Sequence, residues 1–303
     1  MDAVIADRSG RVLRQIGDYE LDIGFGDVDQ DFSFTCPMRH MPPDKGMVYI
    51  DGTEWVGFVD SSETDTASET AVSKGRSVSG VLSSRIIVPE GVDHVSVSGC
   101  PEAVLAQVLD LVDLSGVFEV EKGADASIDY TFERFVDAWT GIRDMMNDNS
   151  LKLSARCVEG RVIMSADERV SAGGDVDSDL IDFSMSKVGR CTNHLVCAGI
   201  GENEERIIVH YYADADGNVS KDKTFSGIDM IDAYYDYRNA DLERLEEDGK
   251  KKLEGMQTKG AVDVDIPDGL SLGVGDLVTG RDNRTGVEVT AEVVQKTLSV
   301  KDG

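Results

Sequence analysis

The stretch from Gly46 to Ile87 limits what this chain can fold into more than any other. It opens with Val48, Tyr49 and Ile50, reaches Asp51-Gly52, and resumes with Trp55, Val56, Phe58 and Val59. That is the pattern of two strands joined at an Asp-Gly hairpin, where Gly supplies the positive φ the turn needs. Ser61 to Ser73 then carries Ser, Thr, Glu and Asp with almost no large apolar side chain, and leads into Gly75-Arg76-Ser77-Val78-Ser79-Gly80-Val81-Leu82, read as a further strand. Such a segment buries only one narrow face.

Upstream, Val12–Ile16 and Tyr19–Ile23 read as strands, and Phe32, Phe34 and Cys36 alternate with Asp31, Ser33 and Thr35, which implies one buried and one wet face. Pro37, Pro42 and Pro43 interrupt the pattern. Residues 1–90 therefore predict about six short strands with turn punctuation, a small barrel or sandwich ending at Pro89-Glu90-Gly91.

Residues 91–165 mix periods. After a strand at Val95–Gly99, Pro101 opens a helix with Val104, Leu105, Val108, Leu109 and Val112 on one face. Val117–Val120 is a strand. A second helix is expected over Thr131–Asn147, with Phe132, Phe135, Val136, Trp139, Ile142 and Met146 aligned, followed by a hairpin from Leu151 to Ser165 turning at Glu159-Gly160. This is a small α/β domain. Residues 166–303 return to β character, with strands at Ser178–Ser186, Asn193–Ile200, Arg206–Ala213 and Val287–Val300 and a hairpin tip at Asp214–Asn218. One helix is expected there near 234–256; Leu242, Leu245 and Leu253 form its apolar side, and Gly249 weakens its middle.

With 303 residues the chain exceeds a single typical core, and its 41% apolar content is that of a folded protein. Its net charge of −28 repels phosphate backbones and anionic lipid, and no basic run exceeds Lys250-Lys251-Lys252. Two readings of that charge stay open: solubility or a salt-adapted host, and a surface that lets DNA slide past. Five scattered cysteines (Cys36, Cys100, Cys157, Cys191 and Cys197) argue for reduced thiols made in a cytoplasm instead of a disulfide framework. Met1–Ile16 lacks a signal-type apolar core, and no apolar run approaches the ~20 residues of a membrane span.

Candidate chemistry is sparse. Cys191, His194 and Cys197 tempt a metal assignment, but residues three apart on a strand point to opposite faces, so no shared tetrahedral site is expected. Asp214, Asp216, Asn218 and Asp222 lack the sixth-position Gly and closing Glu of a calcium loop and fit a hairpin tip. Gly75–Gly80 misses the serine-hydrolase elbow because Ser79 occupies a required glycine position. Gly24-Phe25-Gly26 lacks the third glycine of a dinucleotide fingerprint, and four histidines (His40, His94, His194 and His210) leave few acid–base candidates. The expectation is no catalytic, metal or cofactor-binding residue, no cofactor, and no enzyme.

The Gly52-Thr-Glu-Trp-Val-Gly-Phe-Val-Asp60 core, the Thr/Ser/Glu strand and Gly75-Arg-Ser-Val-Ser-Gly-Val-Leu-Ser-Ser-Arg-Ile-Ile-Val-Pro89 resemble the first β-barrel of tail-hub proteins from long-tailed bacteriophages and prophages. This is the family related to the T-even baseplate hub and found as minor tail proteins in actinophages. Gly275–Asp282 with Thr285–Val289 is similar to the same family's closing hairpin, so the segment 262–303 is expected to close a second barrel. The resemblance implies an α+β, mainly β fold: two small tube-forming β-barrels (1–90 and 166–303) with an intervening α/β domain (91–165). It also implies a structural tail-tip or baseplate role as a homotrimeric ring, with two barrels per subunit in pseudo-sixfold arrangement, joining the tail tube to the tip around a channel. Its partners would be distal tail or tube proteins, the tape measure and tip or spike proteins, with DNA only as transiting cargo and no stable membrane insertion. Its place would be the virion tail, after synthesis in the host cytoplasm. The alternatives are a tail-associated peptidoglycan or peptide hydrolase, and a receptor- or sugar-binding tip protein for which Tyr211-Tyr212 and Tyr234-Tyr235-Tyr237 are the aromatic clusters.

Overall fold

A computed structural model describes residues 1–27, 32–172, 183–186, 192–215, 217–257, 261–264, 272–281 and 288–301. The chain is mainly β, 41% strand against 20% helix, as the alternating patterns predict. It forms two compact units: Met1–Ser171 with Leu270–Leu277 and Glu292–Gly303, and Ala172–Gly269 with Val278–Ala291. The boundary expected near residue 90 lies inside the first.

In the first unit, β1 (Ala3–Ala6), β2 (Val12–Ile16), β3 (Glu20–Gly26), β4 (Phe32–Pro37), β5 (Met47–Tyr49), β6 (Val56–Asp65) and β7 (Thr70–Ser77) are followed by β8 (Ser96–Gly99), β9 (Phe118–Val120), β10 (Ile128–Thr131), β11 (Leu151–Val158) and β12 (Arg161–Glu168). Further strands are β13 (Ser171–Ala172), β14 (Phe183–Ser186), β15 (His194–Ala198), β16 (Ile208–Ala213), β17 (Val219–Ser220), β18 (Asp232–Asp236), β19 (Ala261–Val264), β20 (Leu277–Arg281), β21 (Glu288–Glu292) and β22 (Gln295–Val300). The helices are α1 (Val78–Ser83), α2 (Pro101–Leu111), α3 (Ala138–Asp148) and α4 (Leu242–Gly255).

The dominant element is an eight-stranded sheet ordered β2-β1-β5-β6-β7-β4-β3-β22. Strands β1 and β5 bury both faces. Ala3, Ile5, Ile23, Phe34 and Val48 turn into one core, closed partly by Leu298 and Val300. Val4, Ala6, Phe25, Met47 and Tyr49 turn to the other, where α1, α2 and α3 supply Leu82, Leu105, Leu109, Trp139, Ile142 and Met145. Alternation along β1 and β5 thus serves two cores instead of one core and solvent, while Glu20 and Asp22 of β3 stay exposed.

The C-terminal strand corrects an expectation. Val287–Val300 is split into β21 and β22, and β22 pairs antiparallel with β3, from Gln295↔Gly26 to Val300↔Leu21. The end of the chain therefore completes the first sheet, where a second barrel's closing strand was expected. The hairpin residues Asp282, Thr285, Gly286 and Val287 lie outside the described residues.

Three helix boundaries differ from the sequence reading, each for a local reason. The strand expected through Leu82 stops at Ser77, whose side chain accepts from the Gly80 amide and caps α1. The helix expected from Thr131 starts at Ala138, because Phe135 adopts φ 61° and Asp137 caps the Thr140 amide at 3.0 Å. Residues through Thr131 pair with β8 instead. Likewise Tyr234 lies in β18, and α4 starts after Asp241, whose carboxylate accepts from the Arg244 amide at 3.0 Å. The hairpin at Glu159-Gly160 forms as read, with φ 52° and 76° in the turn. Asp51-Gly52 turns too, but within the wider loop 50–55, because its backbone is bonded to β11: the Gly52 amide donates to Cys157 O and the Cys157 amide to Thr53 O.

Two turns meet at glycines. An added Cβ at Gly10 would stand 2.3 Å from Gly160 O, and one at Gly160 1.8 Å from Gly10 O. Both have positive φ, so only glycine fits the conformation and the contact together.

In the second unit, β17-β16-β15-β18 form a four-stranded sheet, and β14 pairs with β19. One face of the four-stranded sheet buries Leu195, Cys197, Val209 and Tyr211 against Leu245 and Leu253 of α4. Gly249 is needed here, since an added Cβ would lie 2.6 Å from Cys197 Sγ. Gly249→Ala should therefore destabilise the protein by about 1–3 kcal/mol through overpacking, despite alanine's better helix propensity. Gly255→Ala, with open space around its Cβ, should be neutral or stabilising by a few tenths of a kcal/mol. Urea midpoints of the two variants decide it.

Candidate functional site

The face of the four-stranded sheet opposite α4 carries a group of interacting ionisable and aromatic side chains. Period-two alternation places His194 and Val196 of β15, Ile208, His210 and Tyr212 of β16, and Asp232 and Tyr234 of β18 there. This splits both tyrosine clusters: Tyr211 is buried and Tyr235 packs into the α4 core, while Tyr212 is half-buried and Tyr234 is 60% exposed.

His194 is the hub of this face. Its Nδ1 lies 2.7 Å from Asp232 Oδ1 and its Nε2 2.9 Å from His210 Nδ1, and its ring stacks on Tyr212 at 4.5 Å and 4°. An ionised carboxylate only accepts, so His194 donates from Nδ1. The other ring nitrogen, Nε2, shares a hydrogen bond with Nδ1 of exposed His210, the tautomers deciding which of the two donates. At the sheet's end Arg206 bonds to Tyr234 Oη and Asp236; the guanidinium holds the Asp236 carboxyl below the usual carboxylate range. Among the described residues, no three His, Cys, Asp or Glu side chains gather as metal ligands. This network was missed from the sequence because its members lie on three strands; only the even spacing of His210 and Tyr212 was visible.

The singled-out motifs resolve as follows. His194 and Cys197 lie on opposite faces of β15, as their spacing implies, and Cys191 lies outside the described residues. Asp214 accepts from the Asn218 amide at 2.9 Å and from Asn218 Nδ2 at 3.0 Å, so its carboxylate closes the hairpin tip; Asp216 lies outside the described residues. Ser77 and Ser79 are buried and 3.1 Å apart, and Ser79 accepts from the Gly26 amide. They hold the start of α1.

Asp276, from the closing motif, is fully buried. Its carboxylate accepts from Lys152 Nζ at 2.8 and 2.7 Å, from the Val170 amide at 2.7 Å and from the Gly273 amide at 2.7 Å. It is a structural anchor with every neighbour satisfied.

No family model and no curated protein matches the chain. Among solved structures it is similar to a tail protein from Neisseria meningitidis MC58 (TM-score 0.56, 13% identity, 98% of this chain and 92% of that one). It is similar also to the prophage tail protein gp18 from Listeria monocytogenes EGD-e (0.53, 11%, 98% and 90%). A third likeness is to the 43 kDa tail protein of prophage MuSo2 from Shewanella oneidensis (0.54, 13%, 98% and 93%). The chain has a phage-tail-protein fold. The resemblance read from Gly52–Pro89 thus holds at the level of the fold, and the tail-protein fold runs through both compact units. No helix among the described residues is long and apolar enough to cross a membrane.

Two outcomes check the anchor and the cores. Asp276→Ala leaves Lys152, 13% exposed, without its partner and should cost about 3–5 kcal/mol in a urea titration. Burial pushes the thiols of Cys36 and Cys197 up to about 11 and that of Cys157 up to about 12, so each stays protonated and shielded near neutral pH. In a Cys191→Ser background, Ellman's reagent should therefore modify exposed Cys100 alone until the chain is unfolded.

Proposed function

We propose that the protein is a structural tail-hub component of a phage or prophage, assembling as a trimeric ring between the tail tube and the tip. The observation that carries this reading is the sharing of one fold, along nearly the whole chain, with three solved tail proteins. The eight-stranded sheet adds support: β2 and β22 each pair on one side only, so it offers two strand edges to neighbours. In this reading the sheet of the first unit, with β22 included, is one tube-type barrel, the second unit contributes the other, and 91–165 form the intervening α/β domain. Two barrels in each of three copies give the pseudo-sixfold symmetry that a tail tube requires. The net charge of −28 suits a bore through which DNA passes without binding. The work is assembly, without a catalytic residue or cofactor, and the partners are tube, tape-measure and tip proteins in the virion tail.

Light-scattering mass as a function of concentration tests it: a species of three times the 32.8 kDa chain mass is expected. A monomer at every concentration, or lysis of peptidoglycan in a zymogram, would overturn it in favour of a monomeric binding module or a hydrolase.

A further inference from the structure

The first unit contains a groove of about 820 Å³ whose charge is opposite to that of the chain as a whole. Arg8, Lys45, Arg76, Arg85 and Arg161 line it, against the two carboxylates Asp60 and Glu119. Three of these cations are engaged: Arg76 holds Asp60 through two 2.8 Å bonds, Arg161 reaches Glu119 at 3.4 Å, and Arg85 donates to Val112 O at 2.7 Å. Arg8 and Lys45 are exposed and carry no ion pair among the described residues. Lys45 sits at φ 58°, an uncommon conformation for a side-chain-bearing residue, and the Gly10–Gly160 contact fixes the turn that presents Arg8 beside Arg161. Phe58, Val117 and Val162 provide an apolar floor.

An element of matching chemistry lies on the same chain. Past Val59, β6 loses β5 as a neighbour, since that pairing ends at Met47↔Phe58, and only β7 continues beside it. The register shifts at Asp60, a bulge that Gly75 permits, because an added Cβ there would lie 1.9 Å from Phe58 O. Beyond the bulge, Asp60–Asp65 runs on for roughly 17 Å at about 3.3 Å per residue. This outer edge and its turn, residues 61–73, carry Glu63, Asp65 and Glu69 and no cation. Glu63, Asp65 and Glu69 are all exposed.

Resting on the ring reading above, we infer that the basic groove receives the acidic outer edge of β6 and the β6–β7 turn from a second copy of this chain. Arg85 also reaches Asp113 at 3.8 Å, so two surplus positive charges in the groove, Arg8 and Lys45, face three negative ones on the arm. Like charge keeps two arms from pairing with each other, so the contact joins unlike surfaces and propagates head to tail, the type that closes into a ring. The groove also sits at the root of its own copy's arm, beside Phe58, Asp60 and Arg76, so receiving one arm and extending another use adjoining surfaces.

Charge-reversal variants test the contact by sedimentation at physiological salt. Arg8→Glu/Lys45→Glu and Glu63→Lys/Glu69→Lys should each weaken self-association by about tenfold or more, with unchanged urea midpoints, and an equimolar mixture of the two should recover association between unlike variants, which restores two of the three contacts in a threefold ring. Wild type that assembles, with both variants assembling equally well or the mixture failing to recover, overturns this interface and leaves the ring standing. Wild type that stays monomeric at every concentration overturns both.

Discussion

The buried carboxylate of Asp276 is what the rest of the structure depends on. A charge with no exposed surface is tolerable only when its lone pairs are filled, and here one ammonium and two backbone amides fill them. Those donors come from β11, from Val170 two residues past β12, and from the Gly273 turn. The chain's return from the second unit is thereby fixed beside the hairpin it left, and β22 is delivered to β3 with its register set.

From that closure follows the two-sided use of the large sheet. With β22 in place, Leu298 and Val300 shield the inner core, while α1, α2 and α3 shield the outer one. β1 and β5 then have no wet face, while β2, β22 and the Glu20/Asp22 side of β3 stay exposed, and the polar Ser/Thr/Glu run is displaced to the part of β6 that outruns β5. Polarity in the sequence marks where the sheet stops being covered. The eight-stranded sheet and helices α1, α2 and α3 share one core, so hydrophobic burial couples them.

Much of this was legible beforehand, and the exceptions have physical causes. The β character, α2 and the 159–160 turn follow from period, proline placement and glycine turns, and the tail-protein resemblance rests on the residues of Gly52–Pro89 themselves. Helix starts were misplaced where a single Ser or Asp capped an amide: Ser77, Asp137 and Asp241 each ended the preceding extended segment within an apolar pattern that continued unbroken. The destination of β22 was not readable, because strand pairing across more than two hundred residues leaves no local periodicity. The His194 network was hidden for the same reason, and the basic groove still more so, since its cations come from four separated segments and vanish within a total of −28. The placing of His194 and Cys197 on opposite faces of β15 was legible because it needs only local strand geometry.

The meeting of Gly10 with Gly160 bears on how the molecule tolerates change. Turn tips near a surface are ordinarily where insertions and substitutions are absorbed most readily. Here two tips touch carbonyl to Cα, so neither obstacle is a side chain that could be trimmed to make room. Each position forbids variation at the other without any compensating partner, and in a saturation library both should behave as if they were deep in the interior.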